Sequence, residues 1–185
     1  MERAPRIAVY GSSTVADGDP GYRLAQELGA ALAHQGATVM TGGYGGVMEA
    51  ASRGAAEAGG HVVGVTIGLF DARGAANPWV KERVHAADLF ERLRHLVTTA
   101  DAHVAVEASL GTLTELFLTW TLLSAGALRG RLVLLGTGWP EWLAAQRDVV
   151  GAEHFRHVQL ARTAHQAAQL ALAAAVERTT REPAR

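Results

Sequence analysis

The chain has 185 residues, 49% of them hydrophobic and 19% charged, a balance that excludes a disordered chain and fits one domain with a substantial core. Its 17 basic and 18 acidic residues leave a formal net charge of -1, so bulk electrostatics gives no reason to expect nucleic acid or a membrane surface as partner. There is no cysteine, which rules out disulfides and thiolate metal sites, and no leader or membrane-spanning run is visible, so a cytoplasmic protein is expected.

Short apolar runs alternate with helical patterns along the whole chain. Strands are expected at Ile7–Tyr10, Ala37–Met40, Val62–Thr66, His103–Val106, Arg131–Leu135 and His157–Leu160. Helices are expected at Gly21–His34, Val47–Ala58, Ala87–Thr99, Thr112–Ala125, Pro140–Val149 and Ala164–Glu177. The strand runs are continuously apolar rather than alternating, as in strands covered on both faces of a parallel sheet. This order predicts an α/β fold, doubly wound and Rossmann-like: a three-layer sandwich around a mostly parallel sheet, with ligands at the carboxyl ends of the strands. A single domain over residues 1–177 and a flexible tail over 178–185 are expected.

Three strand-to-helix turns carry the chemistry. The first is Gly11-Ser12-Ser13-Thr14, with small residues and hydroxyls suited to a phosphate or ribose. The second is Gly42-Gly43-Tyr44-Gly45-Gly46, followed by Val47, Met48 and Glu49. Four glycines there let the backbone approach a ligand and aim amide groups and a helix dipole at one point. The pattern is not the G-x-G-x-x-G of standard dinucleotide binders. The third turn, Ser109-Leu110-Gly111-Thr112, opens a helix whose first amides suit an anion, with Thr112 expected at its N-cap or first position. In a parallel sheet all three turns share one edge.

Two charged residues flank these turns. Arg92 lies at the edge of the apolar stripe of Leu89, Leu93, Leu96 and Val97, and Glu115 lies in the first turn of the helix carrying Leu113, Leu116, Phe117, Trp120 and Leu123. Each also has a bland explanation, a solvated arginine and a carboxylate favoured by a helix dipole. Both stripes suit a core or a dimer interface. Trp139 and Trp142, flanking Pro140 at a helix start, are expected to be structural. His85, His95 and His103 have no metal-ligand spacing, so no metal is expected. Ligand choice is expected to lie in the long connection 67–83, with Asp71, Arg73, Asn77, Pro78 and Trp79.

These motifs, in this order, resemble the LOG family, the "lonely guy" cytokinin-activating enzymes that once carried a lysine-decarboxylase label. The resemblance runs from about Arg6 to Leu135. It rests on Val9-Tyr-Gly-Ser-Ser13, Gly42-Gly-Tyr-Gly-Gly-Val-Met-Glu49, Glu91-Arg92 before Ala100-Asp101-Ala102, and Gly111-Thr112-Leu113-Thr114-Glu115. It implies a Rossmann-like homodimer that cleaves the N-glycosidic bond of a nucleoside 5'-monophosphate, of the AMP or cytokinin-riboside type, to free base and ribose 5-phosphate. It places the catalytic arginine on Arg92 and the catalytic glutamate on Glu115, and requires no cofactor. Glu115 then stabilises an oxocarbenium-like ribose or activates water, while Arg92 orients Glu115 or the ribose or holds the phosphate. The amides of Gly111 and Thr112 take the phosphate. Lys81, the single lysine and far from any P-loop pattern, is the only residue that could form a Schiff base, so a pyridoxal-dependent decarboxylase is not supported.

Two departures from the family pattern stand out. Glu107-Ala108-Ser109-Leu110 replaces a Pro-Gly-Gly segment, and Leu93 stands where a lysine usually follows the arginine. A carboxylate about 4 Å from a phosphate charge costs on the order of 4 kcal/mol at an effective dielectric of 20. The altered segment motivates an alternative from another class: a non-catalytic protein of the same fold that binds a nucleotide or carries molybdenum cofactor.

Overall fold

The computed structural model describes residues 3–180, the side chains at 71–73 and 177–180 excepted. Seven strands form one sheet: β1 (Arg6–Tyr10), β2 (Thr38–Thr41), β3 (Val62–Ile67), β4 (Glu82–Ala86), β5 (Ala102–Ala105), β6 (Leu132–Leu135) and β7 (Val158–Ala161). Their order is β4-β3-β2-β1-β5-β6-β7 and every pairing is parallel. The helices are α1 (Pro20–His34), α2 (Val47–Glu57), α3 (Leu89–Thr98), α4 (Leu110–Ser124), α5 (Trp139–Ala145) and α6 (Ala164–Thr180).

Alternate strand residues feed two separate cores. Ile7 and Val9 pack with α1, α2 and α6 on one face, and Ala8 and Tyr10 with α3, α4 and Trp139 of α5 on the other. This double coverage explains why the strands are apolar without alternation. The chain leaves β1 in one direction to build β2–β4 and then returns to build β5–β7 on its other side. The carboxyl ends of β1 and β5 therefore flank the topological switch point, where doubly wound sheets open a crevice.

Several expectations shift. The sheet is wholly rather than mostly parallel, β2 and β7 sit one residue later than expected, α5 stops at Ala145, and short 3-10 turns cover Gly68–Arg73 and Ala152–His157. Strand β4 was not foreseen; its start lies inside the connection expected over 67–83. As the edge strand it leaves Glu82, Arg83 and His85 exposed, so it lacks an apolar run, and its charges guard the open edge. Helix α6 continues to Thr180, and the remainder of the expected tail, 181–185, lies outside the described residues. No helix among the described residues is long and apolar enough to cross a membrane.

Candidate functional site

The site is built around α3. Asp88 caps this helix by accepting from the Glu91 amide at 2.7 Å, and the Glu91 carboxylate accepts from the Ala87 amide at 2.6 Å. These bonds fix the first turn and set Arg92 on the inward side with Leu96 and Val97, so that it is 5% exposed. Its Nε donates to the Val65 carbonyl at 2.9 Å and its Nη2 to the Gly42 carbonyl at 3.3 Å. The guanidinium carbon also lies 6.0 Å from the Tyr44 ring centre and 5.5 Å from that of Phe70, within cation–π range.

Glu115 comes from α4. Thr112, Glu115, Leu116, Thr119, Trp120 and Leu123 form its buried stripe, so the carboxyl group is carried into the interior with the apolar side chains. Glu115 Oε1 lies 3.5 Å from Arg92 Nη1. Burial pushes the Glu115 carboxyl up to about 7, and the Arg92 charge pulls the other way without cancelling it. The pair therefore holds a carboxyl group that exchanges a proton near neutral pH. Functional sites are enriched in perturbed groups of this kind, as are structural ion pairs.

The glycine turn is shaped around Arg92. A side chain at Gly42 would overlap Arg92 Nη2 and press on Met48 Sδ. Gly46 has a φ of +69°, and a Cβ there would overlap the Ser12 carbonyl, which accepts from the Val47 amide at 2.9 Å. The first and second turns are thereby locked together. Gly11 packs against the Val47 side chain, and Ser12 Oγ bonds Thr14 Oγ1 at 2.8 Å, while Ser13 is exposed. Gly45 faces Glu49, in the first turn of α2, and the backbone of Ser13. Gly43 takes its own amide into a bond with Thr41 Oγ1 at 3.1 Å.

Tyr44, expected to meet ligand, has its hydroxyl committed elsewhere. It donates to the Ile67 carbonyl at 2.7 Å and accepts from the Ile67 amide at 2.9 Å. Asn77 donates from its side chain to the Tyr44 carbonyl at 3.0 Å and from its amide to the Gly43 carbonyl at 2.8 Å. Asn77, from the connection expected to choose ligands, thus clamps the glycine turn. The Asp71 and Arg73 side chains lie outside the described residues.

The third turn departs from expectation. Ser109, not Thr112, is the N-cap of α4, and Thr112 sits three residues on. The Thr112 amide donates to Ser109 Oγ at 3.2 Å, and the two hydroxyls are 2.8 Å apart, so this amide is already engaged. Gly111 is exposed and keeps open space around it. The Glu107 side chain lies against Gly21 in the first turn of α1: a methyl group at position 21 would be 2.7 Å from Glu107 Cγ and Oε1. Lys81, just before the amino end of β4, donates to the Gly60 carbonyl, whereas Arg92 reaches the Gly42 carbonyl just past the carboxyl end of β2.

One buried network escaped the sequence reading. The Tyr10 hydroxyl lies 2.8 Å from His103 Nδ1 and 3.2 Å from Thr119 Oγ1, and Thr119 donates to the Glu115 carbonyl at 2.8 Å. Burial raises the Tyr10 phenol well above its ordinary range, and the Glu115 charge adds to the shift. Polar residues at 112, 115 and 119 within an apolar helical stripe are the sequence trace of this arrangement.

Comparison with known proteins identifies the family and the fold. Over 99 residues the chain is 35% identical to the cytokinin riboside 5'-monophosphate phosphoribohydrolase of Mycobacterium tuberculosis, an alignment covering 53% of each chain and so about half of that relative's length. The molybdenum cofactor binding protein of Rippkaea orientalis shares the fold at a TM-score of 0.75 and 24% identity, over 94% of this chain and 98% of that one. The molybdenum cofactor carrier protein of Chlamydomonas reinhardtii does so at 0.69 and 26%, over 94% and 99%. A model of the SLOG cluster4 family matches residues 4–135, which carry Arg92, Glu115 and all three turns, and the chain belongs to that family.

Proposed function

We propose that the chain cleaves the N-glycosidic bond of a nucleoside 5'-monophosphate, as the LOG resemblance implies. The observation that carries this reading is the buried Arg92–Glu115 pair with its carboxyl pushed up to about 7. When the carbon–nitrogen bond breaks, its electron pair leaves with the base and the ribose becomes oxocarbenium-like. The oxygen of water then adds to the sugar carbon, and its proton ends on the base, giving free base and ribose 5-phosphate. An ionised Glu115 stabilises the cation and takes the proton from water; a protonated one returns it. Arg92, held by two carbonyls, keeps Glu115 in place and favours its ionised form. The activity by which the Mycobacterium tuberculosis relative is named supports this reading. The experiment is incubation with AMP and N6-substituted adenosine monophosphates, following released base. Turnover by the native chain and a loss of about two to four orders of magnitude in Glu115→Gln are expected; no release from any of them would refute it.

A second reading, a non-catalytic carrier of a nucleotide or phosphorylated pterin, is favoured by one observation. The match to the Chlamydomonas reinhardtii carrier protein runs nearly the full length of both chains. It predicts one bound ligand per chain, recovered intact.

A further inference from the structure

We infer that Tyr10 is a positioning residue for Glu115: its hydroxyl, held by His103, fixes through Thr119 the turn of α4 that carries the carboxyl group. The use of that position in bond cleavage rests on the hydrolase reading of the Arg92–Glu115 site. Tyr10, His103 and Thr119 are none of them more than 1% exposed, in a core whose other members include Ala8, Leu116, Trp120 and Leu134. Polar groups buried this deeply cost stability unless their bonds are made, and a satisfied network fixes its members in one arrangement. Strand register builds the support. Ala8 pairs with His103 and Tyr10 with Ala105, so the Tyr10 and His103 side chains leave β1 and β5 on one face. Their rings stack with centroids 5.8 Å apart and planes 24° from parallel.

The proton count orders the chain of bonds. Thr119 has one hydroxyl proton, and it goes to the Glu115 carbonyl at 2.8 Å. Across the 3.2 Å contact Tyr10 is therefore the donor, and its oxygen accepts from His103 Nδ1 at 2.8 Å. The three bonds run in one direction, from β5 through β1 to the main chain of Glu115. A threonine bonded to the carbonyl four residues back shifts the local course of a helix, so this contact sets how the turn at 115 lies. Arg92 is fixed independently, by the Gly42 and Val65 carbonyls. The 3.5 Å separation of Arg92 and Glu115 is thus set from both sides. The charged and titratable groups facing Glu115 are Arg92 from α3 and Tyr10 from β1, with His103 of β5 behind Tyr10. Burial raises the Tyr10 phenol and the Glu115 charge adds to it, which puts the two groups within electrostatic reach.

The test is a carbon NMR titration of the Glu115 carboxyl in the full chain, its signal identified by its absence from Glu115→Gln. Tyr10→Phe and Thr119→Val delete the hydroxyls at nearly constant volume, whereas Thr119→Ser keeps one. In the first two, Glu115 slackens away from Arg92 and its midpoint is expected to rise by on the order of one pH unit; in Thr119→Ser it stays native. A native or lowered midpoint in either of the first two, or an equal rise in Thr119→Ser, overturns the inference, and the Thr119 variants decide it where Tyr10→Phe does not fold. For base release by the same proteins, kcat is expected to fall about ten- to a hundredfold in Tyr10→Phe and Thr119→Val with KM unchanged. A native kcat beside a moved midpoint also overturns it. A moved midpoint in a protein whose native form releases no base refutes the hydrolase reading alone.

Discussion

Glu115 is the residue on which chemistry and stability meet. An ordinary glutamate titrates near 4.5, whereas burial raises this one to about 7. Between those values the folded chain binds a proton that the unfolded chain has lost. Stability from this group is therefore complete below about pH 4.5 and is lost as pH rises through about 7, by on the order of 3 kcal/mol at most. Glu115→Gln stays neutral at every pH. Thermal unfolding near pH 8 should show the variant melting on the order of 5–10 °C above the native chain, with the two converging near pH 4. A variant less stable at pH 8 would mean that Arg92 outweighs desolvation. Gly42 carries a complementary prediction. Its backbone is outside the positive-φ region, so alanine is allowed there by conformation but not by space. Gly42→Ala should push Arg92 off Glu115, costing about 1–3 kcal/mol in denaturant unfolding and most of the base release. Arg92 and Glu115 were legible through the family motif. Their burial was legible only in part: a glutamate at 115 shares a helical stripe with Leu116, Thr119 and Trp120, yet with the helix start expected at Thr112 it also had a first-turn dipole explanation, which the actual start at Leu110 removes.

At the scale of elements, turns hold one another more than they await a ligand. The second turn is fastened to β3 by the Tyr44 hydroxyl, to the following loop by Asn77, and to the first turn through Ser12 and Val47. Tyr44→Phe removes both partners of the Ile67 backbone, and leaving buried backbone groups unpaired costs about 1–3 kcal/mol. Denaturant unfolding should register that loss, and base release should fall with it because the Tyr44 ring flanks Arg92. An unchanged midpoint would contradict the clamp. The glycine turn was legible from composition and placement alone. The Tyr44 and Asn77 contacts were not, since nothing local says which backbone groups a distant side chain will reach. The N-cap of α4 was misplaced for a related reason. Ser109 and Thr112 are both good capping residues, and only the packing of Glu115 and Leu116 sets the helix phase.

For the whole molecule, the alternation of apolar runs and helical patterns led directly to a doubly wound sheet because each strand is covered on both faces. Edge strand β4 was hidden because it is not so covered. Assembly follows the same logic of exposed faces. Phe90 of α3 is 76% exposed and Leu110 of α4 is 86% exposed, whereas the stripes expected to suit a core or an interface are spent on the core, with Leu96, Val97, Leu116, Trp120 and Leu123 buried inside the chain. We expect the homodimer implied by the LOG resemblance. Sedimentation should return twice the chain's mass, and Phe90→Arg should shift it toward one. A native chain that sediments as a monomer at all concentrations would contradict this.

The fate of a bound nucleotide tests the central claim most directly. Native protein in catalytic amount should convert a reactive nucleoside 5'-monophosphate to base and ribose 5-phosphate in equal amounts, over many turnovers, and Glu115→Gln should not. Recovery of one intact ligand per chain after prolonged incubation, with neither product formed, would contradict the account and leave a carrier in its place.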